Sequence, residues 1–289
     1  MAKQANGGGL APGLYVVATP IGAARDITLR ALDVLAAADA IAAEDTRTLR
    51  KLLGLHGVGL AGRPIWAYHD RNGTAQRPRI LAALAAGQTV ALVSEAGTPL
   101  ISDPGYALIR AAREAGHTVH PVPGPSAVIA ALSVAGLPTD RFFFAGFAPA
   151  AAAARRRFLR GLAAVPGTLV FYESPRRINA LLRDLAEQFG NDHRAVLTRE
   201  LTKRFEDVMP GTLAALAEAT ERTPPKGEIV LLVDRPAAET APDAATLRAA
   251  LDIELVQASR RDAVDAVARR FGLPRRQVYQ LALGLGGKP

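Results

Sequence analysis

Ser94-Glu95-Ala96-Gly97-Thr98-Pro99, followed closely by Ser102-Asp103-Pro104-Gly105, crowds hydroxyls, acids, glycines and prolines into one short stretch. Gly97 and Gly105 let a backbone come close to a ligand, while Pro99 and Pro104 hold the turn rigid. Ser94, Thr98 and Ser102 offer hydroxyls to a polar ligand. The segment 121–127, Pro-Val-Pro-Gly-Pro-Ser-Ala, repeats the device. Gly124 permits close approach, Pro125 suits a helix start, and Ser126 presents its N–H. Three further polar loops carry the same kind of residue: Thr19-Pro20-Ile21-Gly22, Glu44-Asp45-Thr46-Arg47 and His69-Asp70. Reversing the chain needs none of this. These residue types provide for a bound polar ligand, with carboxylates at hand.

Several other chemistries lose ground. The chain has no GxxxxGK[ST] loop, no GxGxxG after a strand, no HExxH and no GxSxG. It has no cysteine, which removes disulfides, thiolate zinc sites and cysteine nucleophiles together. Its 5 histidines lack metal-ligand spacing, so no metal is expected. The net charge of +8 points towards a polyanionic partner. With 49% hydrophobic and 21% charged residues, the 289-residue chain can bury a substantial core. Residues 1–13 read as a flexible tail without the apolar segment of a signal peptide. No apolar run reaches the roughly 18 residues of a membrane span. A cytoplasmic location is expected.

The loops need elements to position them. Apolar, β-rich runs at 14–20, 40–46, 65–70, 89–95 and 117–124 alternate with helical patterns. In the first of these helices Asp26 is placed to cap, and Leu29, Leu32 and Leu35 share a face. Such alternation predicts a largely parallel sheet with helices on both faces and ligands beyond the strands' carboxyl ends, where the polar loops fall. Further strands are predicted at 141–149, 168–175, 194–201, 204–210 and 227–234, with more antiparallel pairing. The expected organisation is an α/β domain over 14–125, a second α/β domain over 126–235, and a small helical module over 244–286. A linker by composition covers 235–244. In the module Ser259 caps one helix, Gly272 ends it and Pro274 opens the next, a helix-turn-helix pattern. Arginine pairs 260/261, 269/270 and 275/276 tilt it towards nucleic acid, against the alternative of a packed helical hairpin.

The ordered blocks LYVVATPIGAARDITLRALDVLAAADAIAAEDTR, VALVSEAGTPLISDPG, VPGPSAVIAALSVAGLPTDRFFFAGFAP, FYESPRR, RELTKRFED and KGEIVLLVD resemble the tetrapyrrole-methylase superfamily. More narrowly they resemble its ribosomal RNA branch, the 16S rRNA cytidine 2′-O-methyltransferases of the small-subunit methyltransferase I type. The resemblance runs from about Leu14 to Leu285. It implies S-adenosyl-L-methionine as donor, bound between two α/β domains of a homodimer. The implied substrate is one cytidine ribose near the decoding site of 16S rRNA in the small ribosomal subunit. By the same resemblance the donor-binding loops fall on Pro20, Gly22, Gly97, Thr98, Pro99, Ser102, Gly124, Pro125 and Ser126, with Tyr172 and Gly227 as weaker carry-overs. Glu95 stands where many relatives have Asp, one methylene longer.

Methyl transfer to a ribose hydroxyl implies a base, or a group that stabilises developing alkoxide. The catalytic candidates are Glu44, Asp45 and Lys203, the last stabilising negative oxygen or acting as base if desolvation lowers its pKa. Arg47, Arg176, Arg177, Arg199 and Glu200 are candidates for holding substrate. Asp103 and Glu173 are further acids in reach, although Asp103 also suits a helix cap. Arginines 155–157 could line an RNA approach. The alternative reading is a tetrapyrrole methyltransferase of the uroporphyrinogen or precorrin type, and a third is a nucleic-acid-binding regulator. The basic module favours RNA over a small macrocycle.

Overall fold

Side chains that alternate along each strand set the layering. The structure, a computed structural model, describes residues 9–235, 244–271 and 273–283. It divides into two compact units, one ending at Asp234 and one beginning at Arg235. In the first unit, strands β1 (Gly13–Val17), β2 (Ala40–Ala43), β3 (Ile65–Ala67), β4 (Thr89–Val93) and β5 (Val119–Val122) form one parallel sheet, ordered β3-β2-β4-β1-β5. Tyr15, Val17, Ile41, Ala43, Ala91 and Val93 face α1 (Leu29–Ala37) and α2 (Thr46–Leu55). Their neighbours Leu14, Ala40, Ala42, Val90 and Leu92 face α3 (Gly73–Ala85) and α4 (Tyr106–Glu114) on the other side. Burial on both faces is why these strands read as nearly continuous apolar runs.

The second sheet comprises β6 (Phe142–Phe147), β7 (Thr168–Glu173), β8 (Arg194–Arg199), β9 (Asp207–Thr212) and β10 (Ile229–Val233), ordered β6-β7-β10-β8-β9. Only β6 and β7 pair in parallel; the other three ladders are antiparallel, as the sequence predicts for this half. One face packs on α6 (Ala152–Leu162), α7 (Ile178–Phe189) and α8 (Leu213–Arg222). The opposite face, through Val170, Val196, Val230 and Leu232, packs on α5 (Ala127–Val134) and on Ile21 from the loop after β1. That contact brings the polar loops of the first sheet against the second.

All ten predicted strands form, and most stop before the predicted ends because the final polar residues leave the ladder for the loops. Two local expectations are corrected. Asp26 lies in a single 3-10 turn and does not cap α1; Thr28 does, its hydroxyl accepting from the Ala31 N–H at 3.1 Å. The buried face of α1 is Ala31, Val34 and Leu35, while Leu29 is exposed.

The second unit contains α9 (Ala244–Leu255), α10 (Arg260–Phe271) and α11 (Arg275–Leu283) around Leu247, Leu251, Val264, Val267, Val278 and Ala282. Ser259 stands before α10, its hydroxyl accepting from the Asp262 N–H at 3.3 Å and donating to the Asp262 carboxylate at 2.6 Å. Pro274 directly precedes α11. The predicted stop at Gly272 lies outside the described residues, as do 1–8 of the tail, 236–243 of the linker and 284–286 of the module. Among the described residues no helix is long and apolar enough to cross a membrane.

Candidate active site

Three adjacent strands, β4, β1 and β5, end their carboxyl termini side by side, so their loops must pack against one another. Gly97 forms an isolated antiparallel bridge with Thr19, each N–H donating to the other's carbonyl at 2.9 and 3.0 Å. That pairing needs the left-handed φ of +80° which glycine adopts without strain. Thr98 Oγ1 donates to the Pro125 carbonyl at 2.9 Å, tying the loop after β4 to the loop after β5. A Cβ on Gly124 would sit 3.0 Å from that of Ala18, so this glycine serves the contact between loops.

The opposite wall comes from the second sheet. Because β7 and β10 are antiparallel, the carboxyl end of β7 and the amino end of β10 share an edge, with Glu173 opposite Ile229. Between the walls lies a cavity of about 370 Å³. Gly97, Thr98, Ile101, Asp103, Ser126 and Ala127 line one side, and Phe147, Tyr172, Glu173, Gly227 and Glu228 the other. Four non-glycine residues with positive φ stand in its flanking turns: Leu100 (75°), Ser102 (66°), Glu200 (50°) and Thr202 (63°). Backbone strain of this kind is commonly held at functional sites.

Charge in the site is acidic. Burial pushes the Asp103 carboxyl up to about 6, and the charges of Glu44, Glu95 and Asp70 add to the shift, against a hydrogen bond from Ser94. Burial likewise pushes the Tyr172 phenol up to about 12, with Asp103 the next cause. The Glu173 side chain is fully buried; its Oε1 accepts from the Ser174 N–H at 2.8 Å and its Oε2 lies 3.0 Å from Arg177.

The other sequence-predicted residues fall into three groups. Gly97, Thr98, Ser126, Tyr172 and Gly227 line the cavity. Pro20, Gly22, Pro99, Ser102, Gly124 and Pro125 belong to the loop framework and stand outside the lining. Gly22 in particular is pressed against the Leu201–Lys203 turn, where a Cβ would collide with Thr202 and Lys203.

The third group stands away from the cavity lining. Asp45 caps α2, accepting from the N–H groups of Arg47 (2.7 Å) and Thr48 (3.2 Å), which hold its pKa below the usual range. Arg47 is 91% exposed beside it. Glu44 is half-buried and accepts from the Glu95 N–H at 3.1 Å. Burial opposes the Lys203 charge, but hydrogen bonds to Glu228 (2.9 Å) and Glu200 (3.0 Å) outweigh it and raise its pKa. The lowered pKa that a lysine base requires is therefore not provided. Glu200 also accepts from the Glu228 N–H, and its pKa falls for that reason first and Lys203 second. Arg177 donates to the Ala148 carbonyl and pairs with Glu173; Arg176 is exposed. Arg199 faces a separate cavity, 3.9 Å from Asp207. Arg155, expected on an RNA approach, is buried and paired with Asp184 at 2.6 Å.

The helix-cap reading of Asp103 is also overturned. Gly105 occupies the cap position of α4, which has no side-chain cap. Sequence reasoning passed over Ile101, Phe147 and Glu228 as lining residues. Only Glu228 had a local signal, standing between Gly227 and the start of β10. Among the described residues no group of three or more His, Cys, Asp or Glu could hold a metal ion.

The family described as Tetrapyrrole (Corrin/Porphyrin) Methylases matches residues 13–217, and the RsmI C-terminal HTH domain matches residues 241–286. Among solved structures, the methyltransferase CobJ is similar with a TM-score of 0.60 and 21% identity, covering 78% of this chain and 95% of its own. A uroporphyrin-III C-methyl transferase from Thermus thermophilus, complexed with S-adenyl homocysteine, is similar with a TM-score of 0.53 and 21% identity over 76% and 96%. At that identity the likeness shows the fold alone. Sequence relatives are much nearer. Ribosomal RNA small subunit methyltransferase I of Mesorhizobium japonicum is 53% identical over 78% of this chain and 76% of that protein. The Pseudomonas aeruginosa protein of that name is 44% identical over 95% and 98%. With both halves of its architecture matched and such relatives along nearly its whole length, the chain belongs to the ribosomal RNA small subunit methyltransferase I family, built on the tetrapyrrole methylase fold.

Proposed function

We propose that this chain transfers a methyl group from S-adenosyl-L-methionine to the 2′-oxygen of one cytidine ribose in 16S rRNA, near the decoding site. The observation that carries the reading is the cavity between the two sheets, at the carboxyl ends of parallel strands where α/β folds bind ligands. Its volume of about 370 Å³ lies within the range of small-ligand sites. When bound, the donor supplies a methyl group activated on a sulfonium. The lining suits that molecule. Ile101, Ala127 and Phe147 offer apolar surface, and α5 begins with no side-chain cap on its first N–H groups.

An RNA acceptor is supported by the names of the near relatives and by the helical unit with its arginine pairs. Arg47 and Arg176, both exposed, are left for the RNA backbone. We read the active form as a cytoplasmic homodimer. The test is transfer of labelled methyl groups to small ribosomal subunits from a strain lacking this gene, with the labelled nucleotide mapped. Label on a single cytidine ribose is the expected result. Label on a tetrapyrrole and none on RNA would sink the RNA reading, and absence of donor binding would sink the methyl-transfer reading altogether.

A further inference from the structure

A second cavity of about 260 Å³ adjoins the first, lined by Tyr68, His69, Thr74, Arg77 and Tyr106 among others. Among the described residues, Asp103 alone lines both cavities. We propose that Asp103 is the catalytic base, and that the second cavity seats the target nucleotide so that its hydroxyl meets Asp103 at the shared wall. This rests on the methyl-transfer reading above.

Position and availability together single out Asp103 from the acids around it: Asp70 lines only the second cavity and Glu95 lines neither. Glu44 accepts from the Glu95 backbone, Asp45 caps α2, Glu173 holds Ser174 and Arg177, and Glu200 and Glu228 hold Lys203. Among the described residues Asp103 has no ion pair and no cap to serve; the Ser94 hydroxyl is the side chain beside it that favours its charged form. The groups facing it are Glu44 from the end of β2, Asp70 after β3, Glu95 after β4, and Tyr172 from β7. Its two cavities add His69, Arg77, Tyr106, Glu173 and Glu228. With burial and acidic neighbours raising it to about 6, the carboxylate is basic enough to accept a proton and still ionised at neutral pH.

The second cavity has the chemistry of a nucleotide seat. Tyr106 is 70% exposed and offers a ring on which a splayed-out base can stack. Arg77, whose buried Nε has no hydrogen-bond partner among the described residues, lines the same cavity and brings a cation to it. The step balances. The hydroxyl O–H bond breaks and its proton passes to Asp103. The oxygen pair forms the bond to the methyl carbon, and the carbon–sulfur pair stays on sulfur, turning the sulfonium into a neutral thioether. Protonated Asp103 then returns its proton to solvent.

The experiment uses the full chain and small ribosomal subunits. Asp103→Asn is expected to lower kcat by at least about 100-fold and to leave donor affinity, measured by calorimetry, unchanged. The wild-type profile of kcat/KM should rise through a limb near pH 6, which Asp103→Asn removes and Asp103→Glu keeps at a shifted position. Tyr106→Ala should raise KM for subunits roughly tenfold with little change in kcat. The proposal is overturned if Asp103→Asn keeps its kcat, if the limb survives in it, or if its defect lies wholly in donor affinity. Unchanged KM in Tyr106→Ala would overturn the nucleotide seat. A wild-type enzyme that binds donor but never labels RNA would instead defeat the underlying reading, a distinct outcome.

Discussion

The Asp103 carboxylate, the proposed base, illustrates how a position suited to chemistry opposes stability. Its folded pKa of about 6 lies above the ordinary value of 3.8, so between those values the native protein holds a proton that the unfolded chain releases. Stability therefore falls as pH rises from about 4 to about 6, and the penalty is fully present at neutral pH. Asp103→Asn should raise the melting temperature at pH 7.5, and the gain should vanish near pH 4. Thermal melts of both proteins across that range check it; a gain independent of pH would mean that the carboxylate's charge is not the cause. Gly97 and Lys203 show the opposite situation. One adopts a backbone conformation that a side chain would strain, the other is held by two carboxylates, and both secure the cavity walls.

Between α6 and α7 the decisive contact is polar. Arg155 and Asp184 are each about nine-tenths buried and meet at 2.6 Å, with a second arginine, Arg156, 3.4 Å from the other carboxylate oxygen. Arg155 also donates to the Ala150 carbonyl just before α6. Removing one partner of such a pair strands a buried charge. Arg155→Ala should cost about 3 kcal/mol in denaturant unfolding, with Arg156 limiting the loss. Arg155→Met paired with Asp184→Leu should recover most of it. A loss under about 0.5 kcal/mol for the single variant, the level of an ordinary surface substitution, would show that the pair is not structurally significant. An arginine run in a helix therefore need not be a nucleic-acid contact; its first member here belongs to the core.

At the scale of the molecule, the two compact units have separate cores, and every residue lining the cavity between the two sheets lies in the first. From residue 235 onward there are nine Lys and Arg against six Asp and Glu, so most of the +8 surplus resides in the first unit. A chain ending at Asp234 should accordingly keep the donor affinity of the full protein. Its affinity for small subunits should weaken and stay measurable, with a shallower dependence on salt as fewer phosphates are neutralised. Calorimetry with the donor and filter binding at several salt concentrations would test both. Unchanged subunit affinity and salt slope would remove the helical unit from RNA binding.

Periodicity and turn chemistry, both local properties, made much of this protein legible from its sequence. Ten strands, the helices between them, the parallel first sheet and the more antiparallel second one follow from runs such as Thr89–Val93 and from the loops that end them. The position of a cavity beyond the strand ends followed as well, through Gly97, Thr98 and Ser126. Strand ends and the cap of α1 were misread because neighbouring polar residues compete for the same backbone groups. What only the tertiary structure decided is which charged groups are available for chemistry. Asp45 is committed to its own helix, Lys203 to Glu200 and to Glu228 25 residues away, and Glu44 to a backbone N–H 51 residues away. Asp103, facing acids from the ends of β2 and β3 and from its own loop after β4, has no ion pair among the described residues. The availability and pKa of a side chain depend on partners delivered by distant segments, and no local pattern records those partners.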